Sequence, residues 1–301
     1  MLRRFGSNLK YFWTSKAGGP KGPPWAMLAW WSFLLALFSG AILAFHYRPW
    51  GDVFASVSYL TGMISYGHYL RALHYLSGQC FLIFTLIHVL ECFWKERYRT
   101  IPSWDWVKLL LLLPMAFLLL LTGFILKGDK EGIFAAGVMF HLAQEVPLIG
   151  PGLALIVLRP GDDFFLLPYL HHIVILPFIV MILLVQHRKR FLPRDDMVWL
   201  VLAALSLLAI FYPLPADIPP HQAGTILAGP WFFQGIQLLL RYVPPFWAGI
   251  AWPLLPLILT AALAFVPVSQ IRRLRTATAI SWAAQGVLIA VAWGVIPRLG
   301  G

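Results

Sequence analysis

The sequence predicts an all-α polytopic membrane protein, and three observations lead there. Of its 301 residues 60% are hydrophobic and only 12% charged, with a mean hydropathy of +0.76, too apolar for a soluble domain of this size. The apolar residues gather into runs long enough to cross a bilayer. The basic residues give a net charge of +11 but fall between those runs rather than along a soluble face. They therefore report membrane topology, and no nucleic-acid partner is expected. The only two cysteines, Cys80 and Cys92, both lie in the second apolar run, which leaves no disulfide framework and no cysteine metal site.

Taken in order, seven spans are expected: Trp25 to Phe45, Tyr69 to Phe93, Trp104 to Leu126, Phe165 to Gln186, Met197 to Tyr212, Phe246 to Val266 and Thr276 to Ile296. The fifth is the shortest. The third carries Pro114 in mid-run, which a membrane helix tolerates with a kink. Three regions follow: an N-terminal segment 1–24, a four-helix unit 25–195 and a three-helix unit 196–301. When the connections are placed alternately on two sides, sixteen of the 23 Lys and Arg fall on the side of the N-terminus. The positive-inside rule then puts the N-terminus in the cytoplasm and the C-terminus outside, with a bacterial inner membrane as the expected setting. No small-residue cleavage site follows the basic N-terminal stretch, so no cleaved leader is expected. The long connections, Gly123 to Phe164 and Pro213 to Pro245, both fall on the outer side, where loops of this length tend to carry function.

The second span contains His74 and His88. Fourteen residues of helix separate them by about 21 Å along the axis and bring them back to within about 40° of one face. The fourth span contains His171, His172 and, at its inner end, His187. Fifteen residues leave His172 and His187 about 60° apart, whereas His171 is about 160° from His187, so His172 is the better partner. Spans two and four run in the same direction. His74 therefore faces His172 near the outer side, and His88 faces His187 near the inner side. Two matched imidazole pairs at two depths point to axial ligation of two haem irons. Arg71, one turn before His74, is placed to pair with a haem propionate. Gly40 and Gly123 sit where a missing side chain lets a porphyrin edge approach the backbone.

These motifs carry a family resemblance. The runs Ala44-Phe45-His46-Tyr47-Arg48-Pro49, Leu70-Arg71-Ala72-Leu73-His74, Leu86-Ile87-His88-Val89 and Val146-Pro147-Leu148-Ile149-Gly150 resemble the cytochrome b of quinol-oxidising bc complexes, most of all its bf-type split form. The second half, through Ala216-Asp217, Trp231-Phe232-Phe233 and Leu240-Arg241-Tyr242-Val243-Pro244, is similar to the three-helix subunit that accompanies that form. The resemblance implies a four-helix haem-binding bundle plus three further helices. It also implies two b haems, quinone or quinol as substrate, and electron transfer across the membrane. The partners it implies are membrane lipid, a Rieske iron–sulfur protein and/or a c-type cytochrome, in a multisubunit and dimeric complex. His74 and His172 would hold the outer haem, and His88 and His187 the inner one. Pro230, Trp231 and Phe232 would line an outer quinone pocket, and Arg188, with Lys189 and Arg190, would serve an inner quinone or the haem propionates.

Three departures bear on mechanism. Where the family has Pro-Glu-Trp-Tyr this chain has Gly229-Pro230-Trp231-Phe232, so the carboxylate that takes a quinol proton is replaced by Pro230. Glu145, His221 and Asp129, with Glu131 and His141, are the outer-loop substitutes to consider. Lys127-Gly128-Asp129 replaces Pro-Trp, and Leu109 stands where a haem-packing glycine is expected. Pro24 occupies the position of the cysteine that anchors an extra haem in the bf form, so no third haem is expected. The chain has no Rieske cysteine–histidine pairs of its own and must pass electrons to other subunits. Two redox functions compete: a bifurcating quinol oxidoreductase core, and a non-bifurcating dihaem conduit between the quinone pool and a multihaem cytochrome or peripheral redox enzyme. A transporter or scaffold with incidental histidines is the alternative outside redox chemistry.

Overall fold

In the computed structural model the described residues are 14–15, 19–20, 25–188, 195–223 and 227–296, and the side chains of 186–188 and 195–196 are outside that description. Apart from a two-residue ladder, Thr14–Ser15 with Gly19–Pro20, the described residues form helices, turns and loops. The helices are α1 (Trp25–Ala44), α2 (Val53–Gly62), α3 (Gly67–Trp94), α4 (Ser103–Ile125), α5 (Lys130–Gln144), α6 (Gly150–Val157), α7 (Leu166–Leu170), α8 (Leu176–Arg188), α9 (Asp195–Phe211), α10 (Trp231–Leu239), α11 (Trp252–Ala262) and α12 (Val268–Val295).

Five stretches are long and apolar enough to cross a bilayer: α1, α3, α4, the α7–α8 pair and α12. The expected fifth and sixth spans are helical but shorter, covering Met197–Phe211 and Trp247–Ala262. Prolines explain the second of these. A turn widened to i→i−5 bonding covers Trp247–Ala251, with Trp252 N–H on the Trp247 carbonyl, and Pro253 follows two residues later without an N–H to donate. The same device joins α7 to α8. There the wide turn His171–Ile175 precedes Pro177, and Leu176 N–H reaches the His171 carbonyl. The last span begins earlier than its apolar pattern suggests, because α12 runs unbroken from Val268 through Arg272, Arg273 and Arg275.

Two of the loop helices start on carboxylates. Asp52 caps α2 by accepting from Ala55 N at 2.9 Å, and Asp129 caps α5 by accepting from Gly132 N at 2.8 Å. The largest buried cluster is built from α1, α3, α4, α8 and α10, with Phe33, Phe81, Phe93, Trp106 and Leu109 at its centre. A second cluster, Ala72 and Leu73 with Val201, Leu205 and Ala209, lays α9 against α3. The C-terminal helices dock on α4 through polar contacts inside the apolar layer. Trp106 Nε1 donates to the Thr260 carbonyl at 2.8 Å, Ser103 Oγ to the Ala264 carbonyl at 3.0 Å, and Trp282 Nε1 to Thr260 Oγ1 at 3.0 Å. In lipid such cross-helix bonds contribute about 0.6–2 kcal/mol each and fix which faces meet. At the same end Arg275 of α12 pairs with Glu96 of the α3–α4 loop.

Candidate functional site

A cavity of about 560 Å³ opens at the His74 end of the bundle, within the range of small-molecule and cofactor sites. His74 of α3 and His172, between α7 and α8, both line it, with ring centroids 5.9 Å apart and planes at 80°. Each ring is oriented by the backbone of a neighbouring helix. His74 Nδ1 lies 2.9 Å from the Ala36 carbonyl and 3.4 Å from Ser39 Oγ; His172 Nδ1 lies 3.0 Å from the Leu119 carbonyl and 3.2 Å from Thr122 Oγ1. A carbonyl oxygen can only accept, so each Nδ1 carries the proton and each Nε2 keeps its lone pair. An acceptor behind Nδ1 fixing ring and tautomer is the arrangement that metal-binding imidazoles use.

The two seats repeat one pattern. Ala36, Ser39 and Gly40 on α1 stand to His74 as Leu119, Thr122 and Gly123 on α4 stand to His172. The hydroxyls of Ser39 and Thr122 themselves donate back to Leu35 and Leu118 carbonyls, four residues earlier, leaving their lone pairs toward the imidazoles. The glycines are required by distance: a Cβ on Gly40 would come within 2.7 Å of His74 Cε1, and one on Gly123 within 2.7 Å of His172 Cε1. This seating was missed in the sequence, although Ser39-Gly40 and Thr122-Gly123 were its visible sign.

The donor set fits a haem. Among the described residues no cluster of three or more His, Cys, Asp and Glu could hold a bare metal ion. Two cavity-lining imidazoles with free lone pairs supply axial ligands alone, and the remaining coordination would come with the bound group, as it does in haem.

The His88 end differs. His88 lies 3.6 Å from Glu91 Oε2 and within 3.9 Å of Cys92 Sγ, both on its own helix. Moving fourteen residues from Gly40 and Gly123 along α1 and α4, as from His74 to His88, leads to Ala26 and Leu109. Leu109 is 2% exposed, inside the main core. The hydroxyl positions become Trp25, stacked on Phe84 at 5.9 Å, and Lys108, 3.6 Å from Asp105. The side chains of His187 and Arg188 lie outside the described residues, as do Lys189, Arg190 and Pro24 altogether.

The remaining candidates separate clearly. Gly40, Gly123, Arg71, Pro230, Trp231 and Phe232 all border the cavity, so the C-terminal half supplies part of its wall. Trp231 is held by Nε1–H donation to Gln79 Oε1 at 2.8 Å, and Phe232 meets Phe117 edge to face. Arg71 forms a fork with Asp217, 2.6 and 2.8 Å, and also donates to Thr61 Oγ1. Lys127 joins this network, 3.6 Å from Asp217, 2.7 Å from Asp129 and 3.1 Å from Glu131. Asp129 is fully buried with both oxygens engaged, while Glu145 and His221 are exposed and stand off the cavity wall. Glu131, one of the substitutes considered, does border it, and so does Asp217, which was not among them.

The fold and this site define a class: a helical membrane protein with two imidazoles facing one cavity at one end of its bundle. The Cytochrome b/b6/petB family pattern matches residues 24–192. The chain belongs to that family, and is thus an electron-transporting membrane cytochrome b of quinol-oxidising complexes. Among its relatives, cytochrome b6 of Heliomicrobium gestii is 26% identical over 159 residues, covering 52% of this chain and 75% of that protein. The cytochrome bc complex cytochrome b subunit of Chlorobaculum thiosulfatiphilum is 26% identical over 247 residues, covering 69% and 57%. A solved hyperthermophilic respiratory Complex III chain shares the fold with a TM-score of 0.63 at 17% identity, over 99% of this chain and 96% of that one.

Proposed function

We propose that the chain is the dihaem b-type subunit of a quinol:acceptor oxidoreductase, with His74 and His172 holding one haem and His88 and His187 the other. The observation that carries this reading is the pair of imidazoles seated on Gly40 and Gly123 in one cavity. Haem b, when bound, supplies reversible one-electron transfer. The chain's residues do the rest. Ala36 and Leu119 carbonyls hold the imidazole tautomers, and Arg71 lies on the same wall to meet a propionate while keeping Asp217. Trp231 and Phe232 offer aromatic surface to a quinol ring. With the N-terminus cytoplasmic, the His74 end is the outer one, where quinol is oxidised. Arg188 and its basic neighbours serve the inner side, and other redox subunits take the electrons onward in a multisubunit, dimeric complex.

A second reading is favoured by one observation, the Pro230 that replaces an acid. It keeps both haems and passes electrons without bifurcation to a multihaem cytochrome or peripheral enzyme. Purification of the complex from its native membrane tests both. A co-purifying Rieske protein with its reduced-cluster signal is the expected result, and a multihaem cytochrome in its place would establish the conduit.

A further inference from the structure

The missing acid at Pro230 leaves the cavity without its expected proton acceptor, yet the cavity contains carboxylates of its own. Among the described residues two border it, Asp217 and Glu131. Asp217 takes both arms of the Arg71 guanidinium and lies near Lys127, so its charge is doubly compensated and its oxygens are occupied. Asp129 is sealed from solvent by its cap to Gly132 N and by Lys127. Glu131 differs from both. Its Oε2 lies 3.1 Å from Lys127 Nζ, among the described residues no hydrogen bond engages Oε1, and its side chain is 20% exposed, so it touches both the cavity and the water at the start of α5. The other oxygen-bearing acids of the cavity are phenols. Tyr47 donates to the Leu126 carbonyl at 3.0 Å and stacks on Tyr169, and burial holds its proton above the ordinary phenol range.

We propose that Glu131, clamped by Lys127, accepts the first proton of the quinol in this chain. The step is a plain proton transfer. One quinol O–H bond breaks, a carboxyl O–H forms on Glu131, and the quinol remains as its monoanion with both electrons. Rotation of the carboxyl toward the exposed edge of α5 then returns the proton to the outer water. Lys127 positions the carboxylate and pairs also with Asp129 and Asp217; Arg71 pairs with Asp217, and Lys130 precedes Glu131 in the chain. The proposal rests on the quinol-oxidising reading above and explains how that reading survives the loss of the acid at position 230.

The test uses the complete complex in membranes, with tetramethylbenzoquinol and dimethylnaphthoquinol as probes and dithionite as a chemical reductant. Glu131→Gln is expected to slow quinol-driven haem reduction by about a hundredfold, within the usual range for a lost general base, while dithionite still reduces every haem. Glu131→Asp should recover part of the rate, and Pro230→Glu in the Glu131→Gln background should recover more. Infrared difference spectra of the wild type, recorded with carboxyl-labelled glutamate, should show a protonated glutamate on quinol binding that Glu131→Gln lacks. A wild-type rate in Glu131→Gln, or the absence of that band from the wild type, overturns the role of Glu131 and leaves the quinol reading intact. Failure of both quinols to reduce a wild-type complex that dithionite reduces overturns the quinol reading and this proposal with it. If Glu131→Gln does not assemble, the labelled wild-type spectrum decides alone.

Discussion

The two ends of the bundle carry histidines at matching intervals but seat them differently. At the His74 end each ring rests on bare backbone, with a carbonyl and a hydroxyl behind Nδ1 and a cavity in front. At the His88 end the matching positions are Ala26, Leu109, Trp25 and Lys108, and His88 is approached by Glu91 and Cys92 from its own helix. Histidine spacing alone therefore does not make two equivalent sites. A seat needs a gap in the neighbouring helix as much as it needs a ligand; among the described residues the His74 end has both gaps built in, whereas Leu109 fills the matching position toward the His88 end.

The comparison can be broken from either side. The largest effect is expected for His74→Ala, which should remove one haem per chain by pyridine haemochrome assay and leave the second spectroscopically intact; loss of both would mean that the ends are not separate sites. Next comes filling the seats. Gly123→Leu and Gly40→Leu should each cost the same haem as His74→Ala, since even a Cβ comes within 2.7 Å of the ring. Leu109→Gly should instead hold the His88-end haem at least as tightly as the wild type. A haem lost from Leu109→Gly but kept in Gly123→Leu would reverse the assignment of the open end. Asp217→Asn should be milder. It leaves Arg71 and Lys127 short of an anion, and with both partners partly exposed it should cost about 2 kcal/mol, read as a lower thermal midpoint of the complex. The smallest effect is expected for Ser39→Ala and Thr122→Val. The carbonyls remain as the nearer acceptors, so haem affinity should fall by less than about tenfold and only one haem potential should move.

Much of this was legible in the sequence because the signals are strong ones. Apolar runs located α1, α3, α4 and the α7–α8 pair closely; His172 lines the cavity beside His74, whereas His171 lies 2.7 Å from the Leu167 carbonyl. The angular argument for His172 over His171 assumed a regular helix, however, and the wide turn ahead of Pro177 passes through both residues. The last three spans were harder to bound. Helix α9 is short, Pro253 breaks the regular bonding ahead of α11, and α12 continues through three arginines that read as a loop. Asp217 escaped selection for a physical reason. It becomes special only through Arg71, far away in sequence, and periodicity carries no trace of that contact.

The proposed arrangement is two ligand pairs in unequal seats, and one measurement addresses it directly: haem content per chain combined with a potentiometric titration of the b-band absorbance. Two haems b per chain, titrating as two separate one-electron waves, with only one wave lost in Gly123→Leu, is the predicted result. A single haem per chain, or two waves that disappear together in that variant, would contradict it.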